Sequence, residues 1–175
     1  LIYPIFVDET LRGKRPIEAL PGKFHYGLDA VCEAVSDCLA AGVTHCILFG
    51  LPREKDAVGS SAWAKHGVVQ EAIRAIKETV EIPLVYTVVA EQADVAGKLA
   101  AGVDFLNVSG AARTPEIVAH IREQFPEVPI IATGGPTDDT IRATIEAGAN
   151  AITYTPPTSA ELFSESMRKN RCKFA

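Results

Sequence analysis

Three times along the chain an amphipathic run ends in an Ala-Gly signal and passes into a short apolar, β-branched stretch. The copies are Leu39-Ala40-Ala41-Gly42-Val43 ahead of 45–50, Leu99-Ala100-Ala101-Gly102-Val103 ahead of 105–110, and Glu146-Ala147-Gly148-Ala149 ahead of 151–155. A second joint, Glu81-Ile82-Pro83 and again Glu127-Val128-Pro129, leads into apolar runs at 84–89 and 130–133. Glycine supplies the left-handed cap that ends a helix, and proline forbids further helix while opening an extended segment. The spacing predicts strands at 1–7, 45–50, 84–89, 105–110, 130–133 and 151–155. Helices are predicted at 29–41, 68–79, 92–101, 115–124, 138–147 and 159–169. Asp29 is the expected cap of the first helix, whose buried stripe is Ala30, Val31, Ala34, Val35 and Leu39. Thr114 precedes Pro115 as a cap, and Thr158-Ser159-Ala160-Glu161 fits a capping box. The polar stretch 8–27 and the stretch 51–67, rich in Gly, Ser and charge, read as loops; loops as long as the second are commonly functional.

Alternating strands and helices with nearly continuous apolar strands require a parallel sheet covered by helices. The fold class is α/β, TIM-barrel-like parallel βα repeats of about six units. That is an incomplete barrel, because a closed one needs eight units and at least about 200 residues. The alternative is an open doubly wound flavodoxin-like sheet. Residues 1–175 are expected to form a single α/β domain.

Charge and composition narrow the function classes. A net charge of −5 with 47% apolar residues argues against a nucleic-acid surface, and the basic tail around 168–173 reads as a solvated end. No apolar run approaches a membrane span and no signal peptide is visible, so the expected location is cytoplasmic, with no membrane partner. The four cysteines, Cys32, Cys38, Cys46 and Cys172, lack metal or redox spacing and are expected to be reduced thiols. No cofactor and no metal site are expected. Exposed edges of a six-stranded sheet favour self-association.

In either architecture the chemistry falls on the loops after the strand C-termini. Those loops carry Asp8 and Glu9, Gly50 with Arg53 and Lys55, 90–92, 109–113, 133–137 and 155–158. Ile130-Ile131-Ala132-Thr133-Gly134-Gly135 has the form of an anion-binding turn, a buried strand ending in Gly-Gly before a helix. It resembles the late strands of phosphate-binding βα barrels, a likeness running over about 83–163. Asp138 and Asp139 at the start of the next helix oppose an anion there. The expected ligand-binding set is Asn107, Ser109, Gly110, Thr133, Gly134, Gly135 and Thr155, for a small anion such as phosphate or carboxylate. Catalytic residues are not identified; were the chain an enzyme, Asp8 or Glu91 with a pKa raised by burial is the candidate base. His66 is the one histidine singled out for test.

Residues 1–79 resemble the N-terminal part of porphobilinogen synthase, the dehydratase that condenses two 5-aminolevulinate molecules. The shared words are Leu1-Ile2-Tyr3-Pro4-Ile5-Phe6-Val7, Arg15-Pro16-Ile17 with Leu20-Pro21-Gly22, Leu48-Phe49-Gly50-Leu51-Pro52 with Lys55-Asp56 and Gly59-Ser60, and Ala72-Ile73-Arg74-Ala75-Ile76-Lys77. The resemblance implies a TIM-barrel origin. It also implies a pair of strand-end lysines, one forming a Schiff base, and in some members a cysteine-rich metal site. Here the corresponding strand reads Tyr86-Thr87-Val88-Val89-Ala90-Glu91-Gln92, and later strands end at Ser109-Gly110, Gly134-Gly135 and Pro156-Pro157. Lys55 and Lys65 lie in a loop that the family does not use for the imine. The change of resemblance near 78–83 suggests a seam between half-barrels of different parentage, a chimera. The leading expectation is a non-catalytic relative with a weak small-anion site. Its rivals are a small phosphate-substrate lyase or isomerase of TIM-barrel type and a porphobilinogen synthase fragment.

Overall fold

The computed structural model describes residues 1–88, 95–135, 137–153, 158–160, 163–164 and 167, with backbone alone over 85–88. In chain order the elements are β1 (Ile2–Asp8), β2 (Lys14–Pro16), β3 (Phe24–Tyr26), α1 (Val31–Ala40), β4 (His45–Leu51), α2 (Ser60–Trp63), α3 (Val68–Thr79), β5 (Leu84–Val88), α4 (Val95–Ala100), β6 (Phe105–Val108), α5 (Thr114–Gln124), β7 (Ile130–Thr133), α6 (Asp138–Glu146) and β8 (Ala151–Thr153). They build one sheet in the order β2-β3-β1-β4-β5-β6-β7-β8. β1 and β4 to β8 are parallel and adjacent in chain order, so each helical crossover moves one strand further in the same direction.

One face of this sheet is covered. The register lines up Ile5, Leu48, Leu106 and Ile130 across β1, β4, β6 and β7, each at most 2% exposed. On that side α1 packs on β1, α3 on β1 and β4, α5 on β6 and β7, and α6 on β7 and β8. The alternate positions Phe6, Phe49, Asn107, Ile131 and Ala151 form a row on the opposite face and stay half-buried or exposed. A doubly wound sheet needs helices on both faces. Among the described residues the helices pack on one face and the parallel strands follow in chain order, an arrangement that favours barrel-type winding over the flavodoxin-like alternative.

Three local expectations are corrected. The stretch 8–27 is not all loop: β2 and β3 pair antiparallel and β3 lies parallel to β1, giving eight strands among the described residues where six were expected. Three-residue strands, one of them wholly exposed, leave no period to read. Asp29 does not cap α1, whose N-cap is Ala30 without a side-chain bond. Its carboxylate instead accepts the Gly13 N–H at 3.0 Å, tying the hairpin down. Thr114 lies inside α5 rather than ahead of it, following a 3-10 turn at Ala111–Arg113. The Thr158–Glu161 box reaches beyond the described residues.

The joints behave as their sequences require. Gly42, Gly102 and Gly148 all adopt left-handed φ, at 79°, 97° and 106°. After each proline joint the first strand N–H is taken by a side chain from the next Ala-Gly joint. Asp104 accepts from Leu84 N at 2.6 Å and from Lys77 Nζ at 2.6 Å. Asn150 accepts from Ile130 N at 2.8 Å and from an Arg122 terminal nitrogen at 3.0 Å. The same staple thus closes β5 to β6 and β7 to β8.

Candidate functional site

Parallel strands direct their C-terminal ends to one rim, and the described rim residues fall into two groups. At the β1 end Asp8 is 6% exposed. Its carboxylate accepts the Thr10 hydroxyl at 2.7 Å, the Thr10 N–H at 2.9 Å and an Arg15 nitrogen at 2.9 Å. The Thr10 hydroxyl, aided by its N–H and by the Arg15 charge, outweighs burial and holds the carboxyl below its usual range. Asp8 is therefore a structural carboxylate that ties β2 to β1, and the raised pKa that a general base would need is not found. Glu91, the other candidate base, lies outside the described residues.

Because the folded pKa is depressed, Asp8 stabilises the fold above its unfolded pKa near 3.9 and loses that contribution as pH falls through the folded value. Asp8→Asn is expected to lower stability at pH 7 by about 1–2 kcal/mol and to flatten the acid limb below about pH 4, read from urea melts at several pH values.

On the β6–β7 side, Asn107 shares the uncovered face with Ile131, and its Oδ1 is buried without a hydrogen-bond partner. Thr133 lies two residues beyond Ile131 on that face, half-buried, and Ser109 just past β6 is also half-buried. The glycines of the expected set are engaged. Gly110 N donates to the Thr114 hydroxyl at 3.0 Å, and Gly134 N donates to the Thr153 carbonyl at 3.2 Å. Gly135 turns the chain at φ 76°. The α6 N-terminus is closed by a reciprocal box between Thr137 and Thr140. Thr155 lies outside the described residues. His66 contacts Glu71 Oε1 at 2.9 Å on the surface.

Three features escaped the sequence reading. Lys98 is fully buried in α4, and its backbone carbonyl accepts the Val103 N–H ahead of β6. Its spacing from Val95 and Ala101 in the buried stripe was the available signal. Gln70 is 2% exposed and donates to the Ala62 carbonyl at 2.8 Å. A cavity of about 330 Å³ opens beside the end of β4, under the loop and α2.

Among the described residues Cys32, Cys38 and Cys46 are free thiols, and burial pushes the Cys46 thiol up to about 12, leaving it protonated and inert. No group of three or more His, Cys, Asp or Glu among them could hold a metal ion, and no helix among them is long and apolar enough to cross a membrane.

The chain is similar to known proteins in two ways. Over 77 residues it is 48% identical to the delta-aminolevulinic acid dehydratase of Archaeoglobus fulgidus and 44% identical to that of Bacillus subtilis. Each match takes in 44% of this chain and 24% of the relative. The fold aligns with the crystal structure of the Toxoplasma gondii enzyme in complex with the reaction product porphobilinogen, with a TM-score of 0.63 at 18% identity, over 91% of this chain and 55% of the other. The matched segment thus spans about a quarter of the curated relatives, and the fold match about half of the solved chain. Residues 1–94 match the family model described as Delta-aminolevulinic acid dehydratase. With 94 of its 175 residues inside that model, the chain belongs to the delta-aminolevulinic acid dehydratase family.

Proposed function

We propose that the chain forms an incomplete barrel of this family that binds a small hydroxylated anion, a carboxylate or phosphate ester, at the ends of β6 and β7 without the imine chemistry of the full-length enzymes. The observation that carries this reading is Asn107, whose buried Oδ1 has no partner on the uncovered face. Such an atom costs about 1–3 kcal/mol until a donor reaches it. A ligand hydroxyl supplies that donor, while the Ser109 and Thr133 hydroxyls donate to the anionic group. With the Gly110 and Gly134 amides already engaged, side chains rather than backbone carry the contact. Gly135 completes the proposed rim among the described residues, and Thr155, the last member of the expected set, follows β8 in the sequence. The reading without imine chemistry is supported by the strand ends, which carry Ser109-Gly110 and Gly134-Gly135 rather than lysine. A family zinc ion does not suit the donors here: β5 reads Leu84-Val85-Tyr86-Thr87-Val88.

Thermal unfolding with glycerol 3-phosphate and with inorganic phosphate tests the site. At 100 times its dissociation constant the ester adds about 2.7 kcal/mol, and Asn107→Ala removes its advantage over inorganic phosphate. No shift with either probe, or an unchanged advantage in Asn107→Ala, overturns the site. Borohydride treatment with 5-aminolevulinate is expected to leave the mass of the chain unchanged; a lysine adduct overturns the non-catalytic assignment.

A second reading, that the chain works as part of a longer cytoplasmic lyase or in self-association, is favoured by the sheet face on which no helix packs among the described residues. There Phe6 and Phe49 stack with centroids 5.4 Å apart while Phe49 stays 36% exposed. The proposed parentage seam at 78–83 falls at the joint between α3 and β5, inside the stretch 1–94 that the family model matches.

A further inference from the structure

We propose that the cleft between the end of β4 and the start of α3 is a second binding site, for a small apolar monocarboxylate. The segment that roofs it is built rather than loose. The Asp56 carboxylate accepts the N–H groups of Val58 and Ser60, at 3.2 and 2.9 Å, together with the Ser60 hydroxyl, which fixes the entry to α2. Gln70 Nε2 holds the Ala62 carbonyl and so fixes α2 on α3. Arg74 holds the Lys65 carbonyl at 3.0 Å, and Glu9 accepts the Arg53 N–H at 2.7 Å.

Beneath this roof lies the cavity of about 330 Å³, within the size range of small-molecule sites. Phe49, Val68 and Val69 supply its apolar wall, and Lys55, Asp56 and Ser61 its polar mouth. Gly50 lets α3 begin this close to β4: a Cβ there would stand 2.6 Å from Val69 Cγ2 and 2.8 Å from Val68 Cγ1.

The two charges at the mouth are not equivalent. Asp56 is committed to the turn that opens α2, whereas the Lys55 ammonium has no hydrogen bond or ion pair among the described residues. An apolar wall beside one available cation selects a carboxylate on a hydrocarbon or aromatic body. A larger polar chamber of about 500 Å³ adjoins the same mouth and carries Glu9 and Glu54 beside Arg53. With Asp56 these acids outnumber the chamber's cations, Arg53 and Lys55, which disfavours a second anionic group and selects monocarboxylates over dicarboxylates and phosphate esters. This cleft shares no residue with the Asn107 site.

Hexanoate, hexylamine and hexanol titrated into the whole chain, followed by the amide shifts of Gly50, Val68 and Val69, test the assignment. Hexanoate is expected to saturate these shifts with a Kd at least tenfold below that of hexylamine. Lys55→Gln weakens hexanoate at least fivefold, to the level of hexanol, whereas Lys55→Arg retains it. Because Lys55 is an exposed loop residue, neither variant threatens the fold. Asn107→Ala leaves hexanoate binding unchanged, separating this site from the one on β6 and β7. Absence of saturable shifts, equal binding of acid and amine, or full affinity in Lys55→Gln overturns the proposal.

Discussion

Arg122→Ala is expected to lower the unfolding free energy by about 3 kcal/mol, near the upper end for a single side chain outside the apolar core. The guanidinium is half-buried at the end of α5 and works as a fork between two joints. One terminal nitrogen donates to the Pro126 and Val128 carbonyls at 2.5 and 2.8 Å. The other donates to the Gly148 carbonyl at 2.7 Å and to Asn150 Oδ1 at 3.0 Å. Alanine leaves these acceptors without their charged donor and loosens Asn150, which also holds the first N–H of β7. In a domain of this length each kcal/mol moves Tm by about 2–4 °C, so the expected fall is roughly 9 °C. The single ammonium introduced by Arg122→Lys cannot reproduce the planar fork, and that variant is expected to recover less than half of the loss. Arg142→Ala, at an exposed position on α6, is the control and should stay within about 0.5 kcal/mol. Chemical denaturation of the three variants measures these differences. Equal melting of Arg122→Ala and Arg142→Ala would show that the fork adds nothing.

The same geometry shows what the sequence makes legible. The α3 boundaries, 68–79, follow directly from its apolar period, and the three Ala-Gly joints carry their left-handed turns, because both signals are local and strong. The staples across the joints could not be read, since Lys77 reaches Asp104 and Arg122 reaches Asn150 only once neighbouring strands have paired. The first of these contacts crosses the proposed seam at 78–83. β2 and β3 escaped notice because three residues each, half-buried or exposed, carry no hydrophobic period, and Asp29 was misread because a partner sixteen residues earlier in the chain outcompetes the local helix end. Topology made the rim legible, but the state of Asp8 depends on Thr10 and Arg15 closing around it. Composition marked the stretch 51–67 only as a long loop; the cleft exists because Gly50 admits the start of α3 beside β4.

Gly134→Ala distinguishes a packing glycine from an anion-binding one. An added Cβ would lie 2.6 Å from Ile152 Cγ2 and 2.8 Å from Ile141 Cγ1, both β-branched side chains with little rotamer freedom to move aside. Overpacking of this kind costs about 1–3 kcal/mol, and the tight double contact puts the expected loss at about 2 kcal/mol. The backbone is not otherwise disturbed, because the Gly134 N–H already donates to the Thr153 carbonyl and an alanine keeps that donor. The neighbouring Gly135 fails for a different reason: its φ of 76° is left-handed, so Gly135→Ala adds backbone strain of about 1–2 kcal/mol to a contact with Thr140. If the turn serves packing, Gly134→Ala lowers Tm while the increment produced by saturating glycerol 3-phosphate stays that of the parent chain. If the Gly134 amide itself holds the anion, the variant loses that increment, and the assignment of the contact to Asn107, Ser109 and Thr133 fails with it.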